Sequence, residues 1–204
     1  SVQVLTQFKG EKINFTGDYK TSKDKTCVNF EPVKCHTLVT EATFGLPVFQ
    51  HPDEKKEINK LLHSIYLFPE RPHLVGVYAL GKAQRVISLL RQQGYNKNIF
   101  IHGSLEKLCN YYQENNVNLG KLSKVSLINK NEYNGEIILA PPSAIKNIWS
   151  RKFEDPIISQ ASGWMSIKQR AKQSLVELPL ILSDHADWNE LTNYIKISEA
   201  ENVY

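Results

Sequence analysis

Three polar residues stand where apolar runs end. Asp18 follows Ile13-Asn14-Phe15-Thr16-Gly17, and Glu41 follows Leu38-Val39-Thr40. His185 follows Leu180-Ile181-Leu182-Ser183-Asp184 and is trailed by Ala186-Asp187-Trp188. Carboxylates and imidazoles are the residue types of proton transfer and metal ligation. In open α/β sheets such chemistry gathers beyond the carboxyl ends of the strands. Each residue also has an ordinary reading. Asp18 after Gly17 is common turn chemistry. Asp184 reads as a helix N-cap with Asp187 in the first turn, which leaves His185 without a role. Glu41 is harder to place, because a Glu inside so apolar a run needs a partner or solvent.

The elements that must position these residues fall into two patterns. Residues 2–7 and 12–16 are short alternating runs around Lys9-Gly10-Glu11, which predicts a hairpin. Residues 37–40 read as a short strand ending at Glu41. From His51 the pattern changes. Ile58, Leu61, Leu62 and Ile65 recur at helical spacing. Residues 73–80 then read as a strand, 82–93 as a helix stopped by Gly94, and 98–102 as a strand. A helix over 105–115 follows Gly103-Ser104, where Ser104 and Lys107 make half a capping box. A strand at 136–140 leads into a helix from Pro141-Pro142-Ser143 to about residue 152. Strands at 157–161 and 174–183 and a helix over 188–197 complete the series. Strands alternating with helices point to an α/β fold with a mainly parallel sheet.

Composition bounds the class. The chain has 204 residues, 41% apolar, 10% aromatic and 23% charged, enough to bury a core in one or two domains. The net charge of +4 is a mild basic bias, compatible with a polyanion partner. No apolar run approaches the roughly 18 residues of a membrane helix, and the start does not read as a signal peptide. Cys27, Cys35 and Cys109 lack CxxC spacing, so small buried thiols in a reducing cytoplasm are expected. Cys27 and Cys35 remain a pairing alternative.

Two further stretches have the chemistry of phosphate contact. "LGKAQR" sets Gly81, Lys82 and Arg85 around a helix start, where free N–H groups and basic side chains suit phosphate. A solvated helix face is the alternative. Ser162-Gly163-Trp164 lets backbone amides approach a phosphate while Trp164 stacks on a base. Trp164 in the core is the alternative.

In order along the chain, "FTGDYK", "LVTEATFG", "VYALGKAQR", "APPSA", "ASGWM" and "LSDHADW" resemble the β-CASP branch of the metallo-β-lactamase nucleases. The likeness is strongest to the bacterial ligase-associated DNA exonucleases, also called RNA 3′-end-processing factor homologues. The resemblance implies a β-CASP parallel-sheet module inserted in a partial metallo-β-lactamase αββα sandwich. Residues 1–46 and 183–204 would belong to the sandwich, and 47–182 to the β-CASP domain. Asp18 then matches an aspartate that bridges two Zn2+ ions. Glu41 and His185 match the acid and the histidine of two β-CASP motifs, the acid orienting the imidazole toward the scissile phosphate. The partners implied are nucleic acid, DNA favoured over RNA, with an ATP-dependent DNA ligase and a helicase. An RNA-processing nuclease of the same fold and a non-catalytic nucleic-acid-binding module are the alternatives.

The sequence departs from that pattern in one respect. The HxHxDH zinc signature is absent, the six histidines lying at 36, 51, 63, 73, 102 and 185. Relatives also carry "GHxLGS" ahead of the first hairpin and a metal-ligating histidine after the region of residues 201–204. The resemblance therefore implies a fragment cut on both sides within a catalytic domain, weak in zinc binding and inactive alone.

Overall fold

The computed structural model describes residues 2–127 and 132–204, in two compact units. The first comprises Ser1–His51 and Ser183–Tyr204, the second Pro52–Leu182.

The first unit is built on a four-stranded sheet in the order β1-β2-β3-β10. Strands β1 (Val4–Phe8) and β2 (Glu11–Phe15) pair antiparallel. Their two-residue loop, Lys9 (φ 49°) and Gly10 (φ 90°), has positive φ at both positions, the twist a tight hairpin demands. Strand β3 (Thr37–Val39) runs parallel to β2, with Phe15 opposite Val39. Strand β10 (Asn202–Val203) runs parallel to β3. The parallel pairing sets the carboxyl ends of β2 and β3 side by side, and Thr16 N–H donates to the Val39 carbonyl at 3.0 Å. Helix α6 (Trp188–Ser198) buries Leu191 and Tyr194 against Tyr19, Cys35, Leu38 and Ala186. Phe30 stacks on Tyr19 with centroids 4.6 Å apart, which gives the irregular segment after β2 an apolar anchor.

The second unit is a six-stranded, all-parallel sheet in the order β6-β5-β7-β4-β8-β9. Its strands are β4 (His73–Gly76), β5 (Ile99–Ile101), β6 (Leu122–Lys124), β7 (Ile137–Ala140), β8 (Ile157–Ala161) and β9 (Leu178–Leu180). Alternate side chains leave on opposite faces. Val75, Ile99, Ile101, Ile137 and Leu139 join a cluster with α1 (Glu54–Leu67), α2 (Lys82–Gln92) and α3 (Glu106–Glu114). Leu74, Phe100, Ile138 and Ala140 join a second cluster with Tyr133, Phe153 and Ile145 of the short α4 (Pro142–Ile145). Covering both faces explains why these strands read as continuous apolar runs. Full burial of Leu61 or Ile87 contributes about 1.5–3 kcal/mol each.

The α/β class with a parallel sheet is as the sequence implies, and several element boundaries differ. The helix expected up to residue 152 stops at Ile145 and resumes as a 3₁₀ turn over Ile148–Lys152. Asn147 breaks it: its backbone is extended and its side chain accepts the Ile148 N–H. The late strand contracts to Leu178–Leu180, because α5 (Lys168–Gln173) and its exit occupy the preceding residues. Strands β6 and β10 are short and polar, without an alternation to betray them. All three thiols are free, Cys35 and Cys109 buried and Cys27 exposed, so the alternative Cys27–Cys35 pair does not form. Among the described residues no helix is long and apolar enough to cross a membrane.

Candidate active site

The three strand-end residues converge within the first unit. Asp18 lies three residues past the end of β2, and Glu41 two residues past the end of β3, at one edge of the sheet. His185 reaches the same edge on the turn Ser183–Ala186 ahead of α6, where the Ala186 N–H donates to the Tyr19 carbonyl at 2.6 Å. One ligand atom from each of Asp18, Glu41 and His185 lies within 4.8 Å of the others.

That turn exists because α6 begins late. The helix N-cap is Asp187, not Asp184. Asp187 accepts the Glu190 N–H at 2.9 Å, and the Glu190 carboxylate accepts the Asp187 N–H at 3.2 Å, a reciprocal capping box. Ser183 brackets the histidine: its hydroxyl donates to the His185 carbonyl at 2.9 Å and accepts the His185 N–H at 3.0 Å.

Glu41 is nearly buried, its side chain 5% exposed, and both its oxygens are engaged. Oε1 accepts the Tyr19 N–H at 2.8 Å, and Oε2 faces His185 Nδ1 at 2.8 Å. A carboxylate only accepts, so Nδ1 carries the proton and Nε2 is left facing away from the pair. The Thr43 hydroxyl lies 3.3 Å from the same Nδ1. Phe44, packed edge-to-face 6.2 Å from the imidazole, closes one side. Burial alone would raise the Glu41 carboxyl, but the hydrogen bonds from His185, the Tyr19 backbone and Thr43 outweigh it and hold it below the usual carboxylate range. The Glu41 hydrogen bond raises His185, against burial; the charges of Glu41, Asp18 and Asp184 add to the rise. Both shifts favour the carboxylate–imidazolium form of the pair.

Asp18 is exposed, set by Gly17 in the left-handed region (φ 57°). The loop after it is clamped by Glu190, whose Oε1 accepts from Thr21 N–H (2.9 Å), Thr21 Oγ1 (2.6 Å) and Ser22 N–H (2.8 Å). Glu190 thus ties the Asp18 loop to the start of α6. Glu190, Tyr19, Thr43 and Ser183 were missed by the sequence reading. All four lie within five residues of a strand-end residue, but their spacing carries no signal until the loops are folded together.

The phosphate contacts read from the sequence belong to the second unit. Lys82 and Arg85 are each only 3% exposed. Lys82 Nζ donates to the Leu182 carbonyl at 2.7 Å, and Arg85 pairs with Glu54 of α1. Their charges hold the fold of their own unit instead of facing solvent, which corrects the reading of both as a phosphate grip. Ser162 caps a 3₁₀ turn, accepting the Trp164 N–H at 3.3 Å. Trp164 is half-buried, with the Arg170 guanidinium 4.0 Å over its ring. The remaining histidines have local partners. His73, for example, is buried between Ser64 and the Arg71 carbonyl, and burial pushes its pKa down.

No family profile matches the chain. Its relatives are distant. Over 93% of its length it is 21% identical to a probable DNA ligase of Opitutus terrae, covering 18% of that protein. It is 29% identical over 52% of its length to cleavage and polyadenylation specificity factor subunit 3 of Dictyostelium discoideum, covering 15% of it. It is 32% identical over 54% of its length to endoribonuclease YSH1 of Gibberella zeae, covering 13% of it. The chain therefore spans less than a fifth of each of these relatives. Among solved structures, a protein of unknown function from Enterococcus faecalis shares the fold, with a TM-score of 0.60 at 11% identity, over 98% of this chain and 53% of that one.

Proposed function

We propose that this chain is part of a zinc-dependent phosphodiesterase acting on nucleic-acid ends, with Asp18, Glu41 and His185 in its active site. On this reading the first unit is a portion of a metallo-β-lactamase sandwich and the second a β-CASP sheet. The observation that carries the proposal is the Glu41–His185 pair with the Asp18 carboxylate beside it.

Carboxylate oxygen and imidazole nitrogen suit zinc in kind. In number they fall short: zinc takes about four ligands, and Glu41 already has both oxygens engaged. Asp18 would hold the metal, and this chain by itself would bind it weakly and cleave nothing. Bound zinc supplies Lewis acidity toward water and toward the phosphoryl oxygens. The chain's own work is done by the pair. Glu41 fixes the imidazole through Nδ1 and favours its charged form, in which Nε2–H can donate to the scissile phosphate or the leaving oxygen. Phe44 shields one side of the imidazole from water.

DNA is favoured because a relative aligned over 93% of the chain is named a probable DNA ligase. Such a context brings an ATP-dependent ligase and a helicase as partners, in the cytoplasm. The RNA reading has its own support, since several relatives aligned over about half the chain, and one over 88% of it, are named endoribonucleases. Matched labelled DNA and RNA strands, offered with zinc to the full-length gene product, test both. Preferential cleavage of DNA supports the first reading, cleavage of RNA alone replaces it with the second, and cleavage of neither removes the nuclease proposal.

A further inference from the structure

The chain's charge is unevenly divided. Pro52–Leu182 holds 18 Lys and Arg against 11 Asp and Glu, a net of +7, while the rest holds 7 against 10, a net of −3. A mild overall basic bias thus conceals a strongly basic second unit, which would draw in a polyanion. All six strands of that unit are parallel, so their carboxyl ends share one edge, where ligands of open α/β sheets bind. Connections from neighbouring β4 and β7 leave in opposite directions, β4 toward β5 and β7 toward β8, which marks a switch point there.

The loop leaving β4 is Val77–Gly81, and a backbone group of each of its residues is hydrogen-bonded. Val77 N–H donates to the Ala140 carbonyl (2.9 Å), and the Tyr78 carbonyl accepts Ala83 N–H (3.1 Å). Gln84 takes both the Ala79 carbonyl (3.0 Å) and the Gly81 N–H (2.8 Å), and the Leu80 carbonyl accepts Lys82 N–H (3.0 Å). The buried Lys82 and Arg85 fasten the helix behind it. Yet this fixed loop turns its two largest side chains outward: Tyr78 is 64% exposed and Leu80 66%. An exposed apolar residue alone needs no explanation. A tyrosine and a leucine together, on a loop whose ordering cost is met in advance, at a sheet switch point of a basic unit, make a preorganised stacking surface. Tyr78 lies two residues past Gly76, and Ser162 two past its neighbour Gln160, so the loop carrying Trp164 leaves beside it.

We propose that Tyr78, supported by Leu80, stacks on a base of single-stranded nucleic acid whose phosphates are attracted by the second unit's net positive charge. The inference rests on the nuclease reading for its ligand and extends it to residues which that reading does not use.

The test measures binding of fluorescent oligo(dT), oligo(U) and base-free polyphosphate to the 204-residue chain by anisotropy, for wild type, Tyr78→Ala, Tyr78→Phe and Leu80→Ala. Thermal unfolding of each variant serves as a control on folding. Tyr78→Ala should bind oligonucleotide about tenfold more weakly, the loss of one stacked base. Tyr78→Phe should bind like wild type, and polyphosphate binding should not change. The oligo(dT) and oligo(U) arms show which strand is preferred. Wild-type oligonucleotide affinity in Tyr78→Ala overturns the stacking inference alone, as does an equal loss of oligonucleotide and polyphosphate. Failure of the wild-type chain to bind either oligonucleotide overturns it together with the nucleic-acid reading on which it rests.

Discussion

Nδ1 of His185 lies 2.8 Å from Oε2 of Glu41, 144 residues away in sequence, while the other oxygen of that carboxylate holds the Tyr19 N–H. The pair is intrinsic to the first unit. Glu41 is fixed at the end of β3 and His185 by the Ser183 bracket, so the hydrogen bond is set by backbone on both sides.

Replacing Glu41 by Gln should lower the His185 pKa toward the ordinary histidine value of about 6.5, because the hydrogen bond to the Glu41 carboxylate is the main cause of its elevation. A pH titration of the imidazole resonances by NMR, with a chelator present, reads this directly. An unchanged His185 titration in E41Q would count against the assigned geometry.

The same pair gives a pH dependence of stability with a definite sign. His185 is raised in the fold, so its contribution is complete below about pH 6.5 and is lost as pH rises through its folded value. Glu41 is lowered, so its contribution is complete above about pH 4.3 and is lost as pH falls through its folded value. Metal-free protein should therefore owe its greatest stabilisation from this pair to the window between those two values. Urea midpoints across pH for wild type minus His185→Ala should peak there, and a flat difference would contradict the coupling.

Much of this was legible in the sequence, for reasons that differ by element. The strands of the second unit were visible because both faces are buried, and Ile137-Ile138-Leu139 has no polar residue to blur it. Strand ends could be found, so Asp18, Glu41 and His185 could be picked out. Two things were not visible. The helix start at residue 188 was legible but its cap was not, because Asp184 and Asp187 are both good caps, and only Glu190, three residues past Asp187, decides between them. Lys82 and Arg85 carry the residue types of a phosphate grip, but the direction of a side chain depends on which helix face is buried. Here their charges meet the Leu182 carbonyl and Glu54, acceptors 100 and 31 residues away in sequence.

Glu190 should matter more than its half-exposed position suggests. Glu190→Ala removes the capping box and three bonds to Thr21 and Ser22, which should cost about 1–2 kcal/mol and lower Tm by about 2–8 °C. Glu199→Ala breaks only a surface pair with Lys34 whose side chains are 62% and 68% exposed, and should change Tm little. Equal effects of the two substitutions would argue against the clamp.

Asp18→Asn should weaken zinc binding by more than the roughly 10- to 100-fold that follows loss of an outer-shell partner, without a change in Tm, because the side chain is exposed. Calorimetric titration of zinc into the full-length gene product measures it, with His63→Ala as a control outside the site. Undiminished affinity in D18N would remove Asp18 from the metal site.

The account stands on the claim that Glu41 and His185 act together on a phosphodiester. Single-turnover cleavage of end-labelled single-stranded DNA by the full-length gene product, compared among wild type, Glu41→Gln, His185→Ala and the double variant, tests it most directly. Each single variant should lose roughly 10²- to 10⁴-fold in rate, the usual reach of acid–base catalysis, and the double variant should lose no more than the worse single one. Wild-type rates in either single variant, or losses that simply multiply in the double variant, would contradict it.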